Sequence, residues 1–208
     1  MVALEETVTK LAGEVRQLLE RTGEQLVCAE SCTAGLVAAT LAKWPGISNW
    51  LCGSFVVYQT EIKHQWLGIP SELLHDPIDG PSVGPSVGPS VGPVSQRVTA
   101  LLALEALEKT PQATLSVAVT GHLGPGAPEL LDGFVFIALA KRRKEASGLV
   151  NDTNLVMNER LVRLKDIEMV AEPALKRYSG QELRERRMLR AVSNVLEMLR
   201  EFLAEPPK

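Results

Sequence analysis

Three cysteines and three histidines are all that this chain of 208 residues offers toward disulfide or metal chemistry. Cys28, Cys32 and Cys52 form an odd set without a C-x-x-C pair, each among apolar neighbours, which argues against a disulfide framework and for a reducing, cytoplasmic compartment. His64, His75 and His122 share no ligand spacing with one another or with a cysteine, so no metal is expected. Apolar runs of membrane-spanning length are missing. The stretch from Met1 to Val15 carries acids where a signal peptide carries bases, so neither export nor membrane contact is expected. A net charge of −3 supplies no positive field for a phosphodiester backbone, and direct nucleic acid binding is not expected either. Aromatic residues are scarce, and all three tryptophans, Trp44, Trp50 and Trp66, fall within one short segment. A homodimer interface and plain core packing are the two readings of that clustering.

What is present is apolar content enough for one sizeable core, read as a single domain over residues 1–208. Val8, Leu11, Val15 and Leu18 recur at helical spacing and predict a helix over about 4–22, stopped by Gly23. Strand-like runs follow at 25–29, 53–59, 114–119 and 134–140. Helical segments at about 34–42, 60–67 and 95–108 lie between the first three, and a final amphipathic helix covers about 181–203. Such alternation predicts an α/β domain with helices on both faces of a sheet of about five strands. Residues 80–93 repeat Gly-Pro-Ser-Val, which suits neither helix nor ladder, and read as an exposed loop insertion dispensable for chemistry. Lys141 to Lys144 reads as a charged turn, and a strand pair is expected around Leu155 to Leu164 within a variable insertion at 142–177.

Polar groups gather where three of these strands end. Ser31 and Thr33 follow the first, Tyr58 and Lys63 the second, Thr120 and Gly121 the third. If the strands are parallel neighbours, the clusters converge on one sheet edge, and a helix starting near Thr33 would aim its free N–H groups there. Each cluster also has a structural explanation: helix capping for Ser31 and Thr33, a tight turn for the glycines, packing and solubility for Tyr58 and Lys63. No G-x-S-x-G elbow is present. A hydrolase would need a desolvated lysine to accept the proton of a hydroxyl, and Ser48, Tyr58 and Lys63 carry the functional groups for it.

Taken in order, Glu30-Ser31-Cys32-Thr33-Ala34-Gly35, Pro45-Gly46-Ile47-Ser48, Gly53 to Tyr58 with Glu61 and Lys63, Leu67-Gly68-Ile69-Pro70, Val94-Ser95, Thr120-Gly121 with Gly124-Pro125-Gly126, and Tyr178-Ser179-Gly180 resemble the C-terminal domain of the CinA family. That domain also occurs alone as a nicotinamide mononucleotide deamidase. The resemblance implies a three-layer α/β/α sandwich with a mixed sheet, and hydrolysis of the carboxamide of a pyridine mononucleotide without cofactor or metal. It implies Ser48, Tyr58 and Lys63 as the catalytic set, and Ser31, Thr33, Thr120, Gly121 and Arg186 as substrate-binding positions. The chain departs from the family pattern at Ala34, usually glycine, at His122, usually isoleucine, in the shortened loop 127–132, and at Gln181-Glu182, usually Asp-Arg, for which Arg184 or Arg186 would supply the cation. Two other readings stay open: a nucleotide- or partner-binding module without turnover, and a role linked to competence or the DNA damage response.

Overall fold

Six α-helices and five strands are seen among the described residues, 2–75, 92–128, 131–144, 150–164 and 179–205, of a computed structural model. They run α1 (Val2–Thr22), β1 (Leu26–Glu30), α2 (Leu36–Leu41), β2 (Leu51–Val56), α3 (Thr60–Leu67), α4 (Ser71–His75), α5 (Gln96–Glu108), β3 (Leu115–Gly121), β4 (Phe134–Lys144), β5 (Val150–Arg163) and α6 (Gly180–Ala204). The strands form one mixed sheet in the order β2-β1-β3-β4-β5. β1 is parallel to both neighbours, with Cys28 opposite Ser54 and Val117, whereas β4 and β5 are antiparallel additions. This is the expected mixed α/β sandwich.

Strand alternation divides the interior in two. Leu26, Cys28, Leu115, Val117, Val119, Val135, Ile137 and Leu139 face α1, α2 and α6. Val27, Ala29, Ala118, Ala138 and Ala140 face α3, α4 and α5. Ala29, Ala118 and Ala138 are in register across three adjacent strands, so a row of methyl groups lets α5 lie close to the sheet with Ala103 and Ala106 buried against it. Ser95 caps α5 as its sequence position suggests, accepting from Val98 N at 3.3 Å.

The run Lys141 to Lys144 is strand, not turn. β4 continues through it because β5 stays paired alongside, Arg142 opposite Leu155 and Lys144 opposite Val150. The first two charges are absorbed locally: Lys141 pairs with the buried Glu24 at 2.9 Å, and the buried Arg142 donates to Leu107 O at 2.8 Å. The strand pair expected around 155–164 is likewise one long strand, β5, partnered by β4. Most of the Gly-Pro-Ser-Val repeat, residues 76–91 being the undescribed stretch, lies outside the described residues. No helix among them is long and apolar enough to cross a membrane.

The order β2-β1-β3 fixes where a ligand can sit. The chain leaves β1 toward the α2 face and leaves β2 toward the α3 face, so the crevice that such a sheet offers a ligand is expected between the two exits, at the carboxyl edge of the parallel strands. The alanine row holds α5 close against the sheet beside that edge. Replacing Ala118 by Leu is expected to destabilise the fold by about 1–3 kcal/mol through overpacking under α5, read as a lower urea midpoint with unchanged slope.

Candidate active site

Glu30, the last residue of β1, is 1% exposed, and its carboxylate accepts four hydrogen bonds. Thr33 Oγ1 donates at 2.8 Å, Val37 N at 3.0 Å, Ala38 N at 3.0 Å and Ser54 Oγ at 3.0 Å. The expectation that α2 would offer free N–H groups to a ligand is therefore corrected. Those of Val37 and Ala38 go to Glu30, and that of Leu36 goes to Thr33 O. Thr33 is fully buried and spends its proton on Glu30, so its side chain shapes the turn and does not line the crevice. Between β1 and α2 the chain turns through Ala34 at φ 52° and Gly35 at φ 93°. The alanine there is in the left-handed region that glycine occupies more cheaply.

Lys63, on α3, is 2% exposed. Its ammonium donates to Pro93 O at 2.5 Å, so the last residue of the Gly-Pro-Ser-Val repeat anchors this lysine, and the reading of the repeat as an exposed loop is corrected at the buried Gly92. Ser95 Oγ in turn donates to Gly92 O at 2.9 Å, so the α5 cap and the lysine anchor are one structure. Thr99 Oγ1 donates its proton to Ser95 O at 2.7 Å, which obliges Thr120 Oγ1 to be the donor in the 2.7 Å contact between the two threonines. Thr120, fully buried, thus points its proton inward toward α5, leaving its oxygen as an acceptor.

Gly121 brings the ends of β1 and β3 together. A Cβ there would lie 3.1 Å from Cys32 Sγ and 2.9 Å from Phe134 O, so only glycine permits this approach. Burial lowers the Lys63 pKa from its ordinary 10.5 to about 8, Cys32 opposing. Burial pushes the Cys32 thiol up to about 12 despite the pull of Lys63 and Arg184, so it is a neutral neighbour. His122 is held below its usual value by burial and then by Lys63, with Asp132 acting the other way. Ser31 sits next to Cys32 at the β1 exit, 6% exposed, with its N–H given to Val119 O at 3.0 Å.

The outer wall comes from α6. Ser179 and Glu182 form a capping box, which accounts for the glutamate at that position. Arg184 donates to Gly124 O at 2.6 Å and to Tyr58 OH at 2.5 Å, linking the loop after β3 to the exit of β2. One turn on, the buried Arg187 pairs with Asp132 at 2.7 and 3.1 Å and supports the same loop through Leu123 O at 3.3 Å. Arg186 is half-buried and lies roughly across the helix from Arg184. Arg184 is thus the arginine seen to reach Tyr58.

The structure does not bring Ser48, Tyr58 and Lys63 together. Ser48 is exposed in the 3-10 turn Ile47–Asn49 that precedes β2, at the amino edge of the parallel strands, where Trp50 O accepts from Leu26 N. Tyr58 follows β2 at its other end, so on the order of 17 Å of strand separates them. Tyr58 itself is 52% exposed on Arg184, while Lys63 is buried. Trp44, packed over Gly13, and Trp50 border the first core at the Ser48 edge; Trp66 is 53% exposed.

The CinA C-terminal domain matches residues 8–171. The chain belongs to this family. A CinA-like protein of Myxococcus xanthus is 30% identical over 200 residues, 94% of this chain and 37% of that protein. The competence/damage inducible protein CihA of Agrobacterium tumefaciens has the same fold at a TM-score of 0.66 and 28% identity over 96% of both chains. A competence damage-inducible protein A of Klebsiella pneumoniae matches at a TM-score of 0.68 and 22% identity over 96% of this chain and 99% of that one, a likeness of fold alone. This CinA domain spans about a third of the length of the curated relatives it matches.

Sequence reasoning passed over Glu30, Pro93 and the Arg187–Asp132 pair. Glu30 had a signal: a carboxylate closing an apolar strand immediately before a helix. Two outcomes follow. Ala34→Gly is expected to stabilise the CinA domain by about 1 kcal/mol, the relief of left-handed strain outweighing the added unfolded-state entropy, and to raise Tm by about 2–4 °C. Between the folded Lys63 pKa near 8 and the unfolded value of 10.5, the unfolded chain holds a proton that the folded one has released, so stability rises with pH across that window. Lys63→Met should abolish that rise, about 3 kcal/mol at most, in urea unfolding compared at about pH 7.5 and about pH 10.

Proposed function

We propose that the crevice is an amidohydrolase site acting on the carboxamide of a pyridine mononucleotide, with Ser31 in place of Ser48 as the nucleophile and Lys63 as its base. The observation that carries this reading is a buried lysine on α3, just past β2, whose pKa of about 8 leaves a usable neutral fraction near neutrality, with Ser31 at the end of the neighbouring parallel strand β1.

Neutral Lys63 takes the Ser31 proton as Oγ attacks the carboxamide carbon. The tetrahedral adduct collapses with cleavage of the C–N bond, and the Lys63 ammonium returns that proton to the departing nitrogen as ammonia. Water then attacks the ester on Ser31, Lys63 accepting its proton and handing it to Oγ, so that nicotinate mononucleotide leaves and both residues are restored. Pro93 O fixes the ammonium while two of its N–H bonds have no partner among the described residues and can serve this traffic. Thr120 and Gly121 act as the wall against which the β1 turn is set, and Tyr58 belongs to the outer mouth with Arg184. Arg186 has no step in this scheme. His122, below its usual pKa beside Lys63, adds no second positive charge to the pocket.

The test is ammonia release from nicotinamide mononucleotide. Ser31→Ala and Lys63→Met are expected to lower kcat by about 10³-fold or more with the fold retained, whereas Ser48→Ala keeps the wild-type rate. Loss of turnover in Ser48→Ala with full activity in Ser31→Ala would reverse the assignment. Wild-type protein that binds the mononucleotide without releasing ammonia would make this a binding module.

A further inference from the structure

Arg184 stands apart from the other cations of the crevice. Its two described hydrogen bonds go to neutral oxygens on opposite walls, Gly124 O after β3 and Tyr58 OH after β2. Among the described residues no carboxylate pairs with it. The acids one turn away or nearer are committed elsewhere: Glu182 accepts from Ser179 N in the capping box and Glu185 accepts from Gln181. Arg187, by contrast, is neutralised by Asp132. A guanidinium has five N–H bonds, so three remain on Arg184 beyond the two that hold its plane. Pinned at two points on different elements, the fork has little freedom left to lose on meeting an oxyanion. Arg184 is tied to the residues just past β2 and β3, and Lys63 is buried on the helix that follows β2, so both cations belong to the carboxyl end of the parallel strands.

From this we propose that Arg184 is the phosphate reader of the site, the residue by which this domain accepts a phosphorylated pyridine nucleotide and rejects the corresponding nucleoside. The inference rests on the amidohydrolase reading for its substrate but not for its binding chemistry. The carboxamide lies inward by Ser31 and Lys63; the phosphate lies at the mouth, where the guanidinium supplies charge and paired donors that a neutral ribose hydroxyl cannot exploit equally. Tyr58 acts through Arg184 as a positioning residue, its phenol accepting one N–H and setting the plane of the fork.

The experiment compares nicotinamide mononucleotide with nicotinamide riboside as substrates for wild type, Arg184→Gln and Tyr58→Phe. Arg184→Gln should raise KM for the mononucleotide about 10–100-fold and lower kcat/KM for the riboside at least about fivefold less than for the mononucleotide, as expected when the larger part of the loss is of charge-assisted hydrogen bonds to phosphate. Tyr58→Phe should raise the mononucleotide KM less, again with a larger effect on the mononucleotide than on the riboside. Equal losses on both substrates, or no change on either, would overturn the assignment. Should wild type release no ammonia, the amidohydrolase reading fails on its own, and calorimetric titration with the mononucleotide still decides this one. Binding by wild type that weakens about tenfold or more in Arg184→Gln supports it, and equal binding or none by wild type removes it. A thermal melt of each variant within a few degrees of wild type separates these effects from unfolding.

Discussion

Four donors from three elements meet on the Glu30 carboxylate, and the geometry of the crevice descends from that junction. A buried carboxylate is tolerable only when its lone pairs are filled, and here filling them requires β2, the turn after β1 and the first turn of α2 to hold fixed positions at once. The N–H groups of α2 are consumed in the process. The turn thus becomes a rigid shelf for Ser31 and Cys32, not an anion-binding helix end, and a ligand must find its positive charge elsewhere in the crevice.

That charge comes from two sites with opposite designs. Lys63 is buried, held on a backbone carbonyl, and desolvated until its proton is loosely held near neutral pH. Arg184 is at the mouth, oriented by two neutral oxygens and permanently charged. In the proposed reaction one group exchanges protons and the other keeps its charge, and these different surroundings suit those two tasks. The loop 121–126 joins them: Gly121 packs on Cys32 at the inner end, and Gly124 accepts from Arg184 at the outer end.

The elements were largely legible because they rest on local pattern. Apolar periodicity marked α1 and α6, apolar runs marked β1 and β3, and Ser95 announced α5 through a cap that spans three residues. Patterns failed where partners lay far along the chain. Lys141 to Lys144 looks like a solvated turn until β5 pairs beside it and Glu24 and Glu108 take up the charges of Lys141 and Arg142. Ser48 stands ten residues before Tyr58, close in sequence, yet a whole strand carries the chain from one sheet edge to the other between them.

Composition and period were enough for the class of fold, the helix faces and the idea that polar residues cluster at strand ends, since each follows from neighbours within a turn or two of chain. Which of those polar residues share a crevice was settled by strand order and direction. Placing β1 between β2 and β3 puts Ser31, Lys63 and Gly121 on one edge and leaves Ser48 on the other, while Arg184 arrives from 126 residues beyond Tyr58. Proximity across that distance is a property of the packed sheet and helices, and nothing in the spacing of residues along the chain encodes it directly.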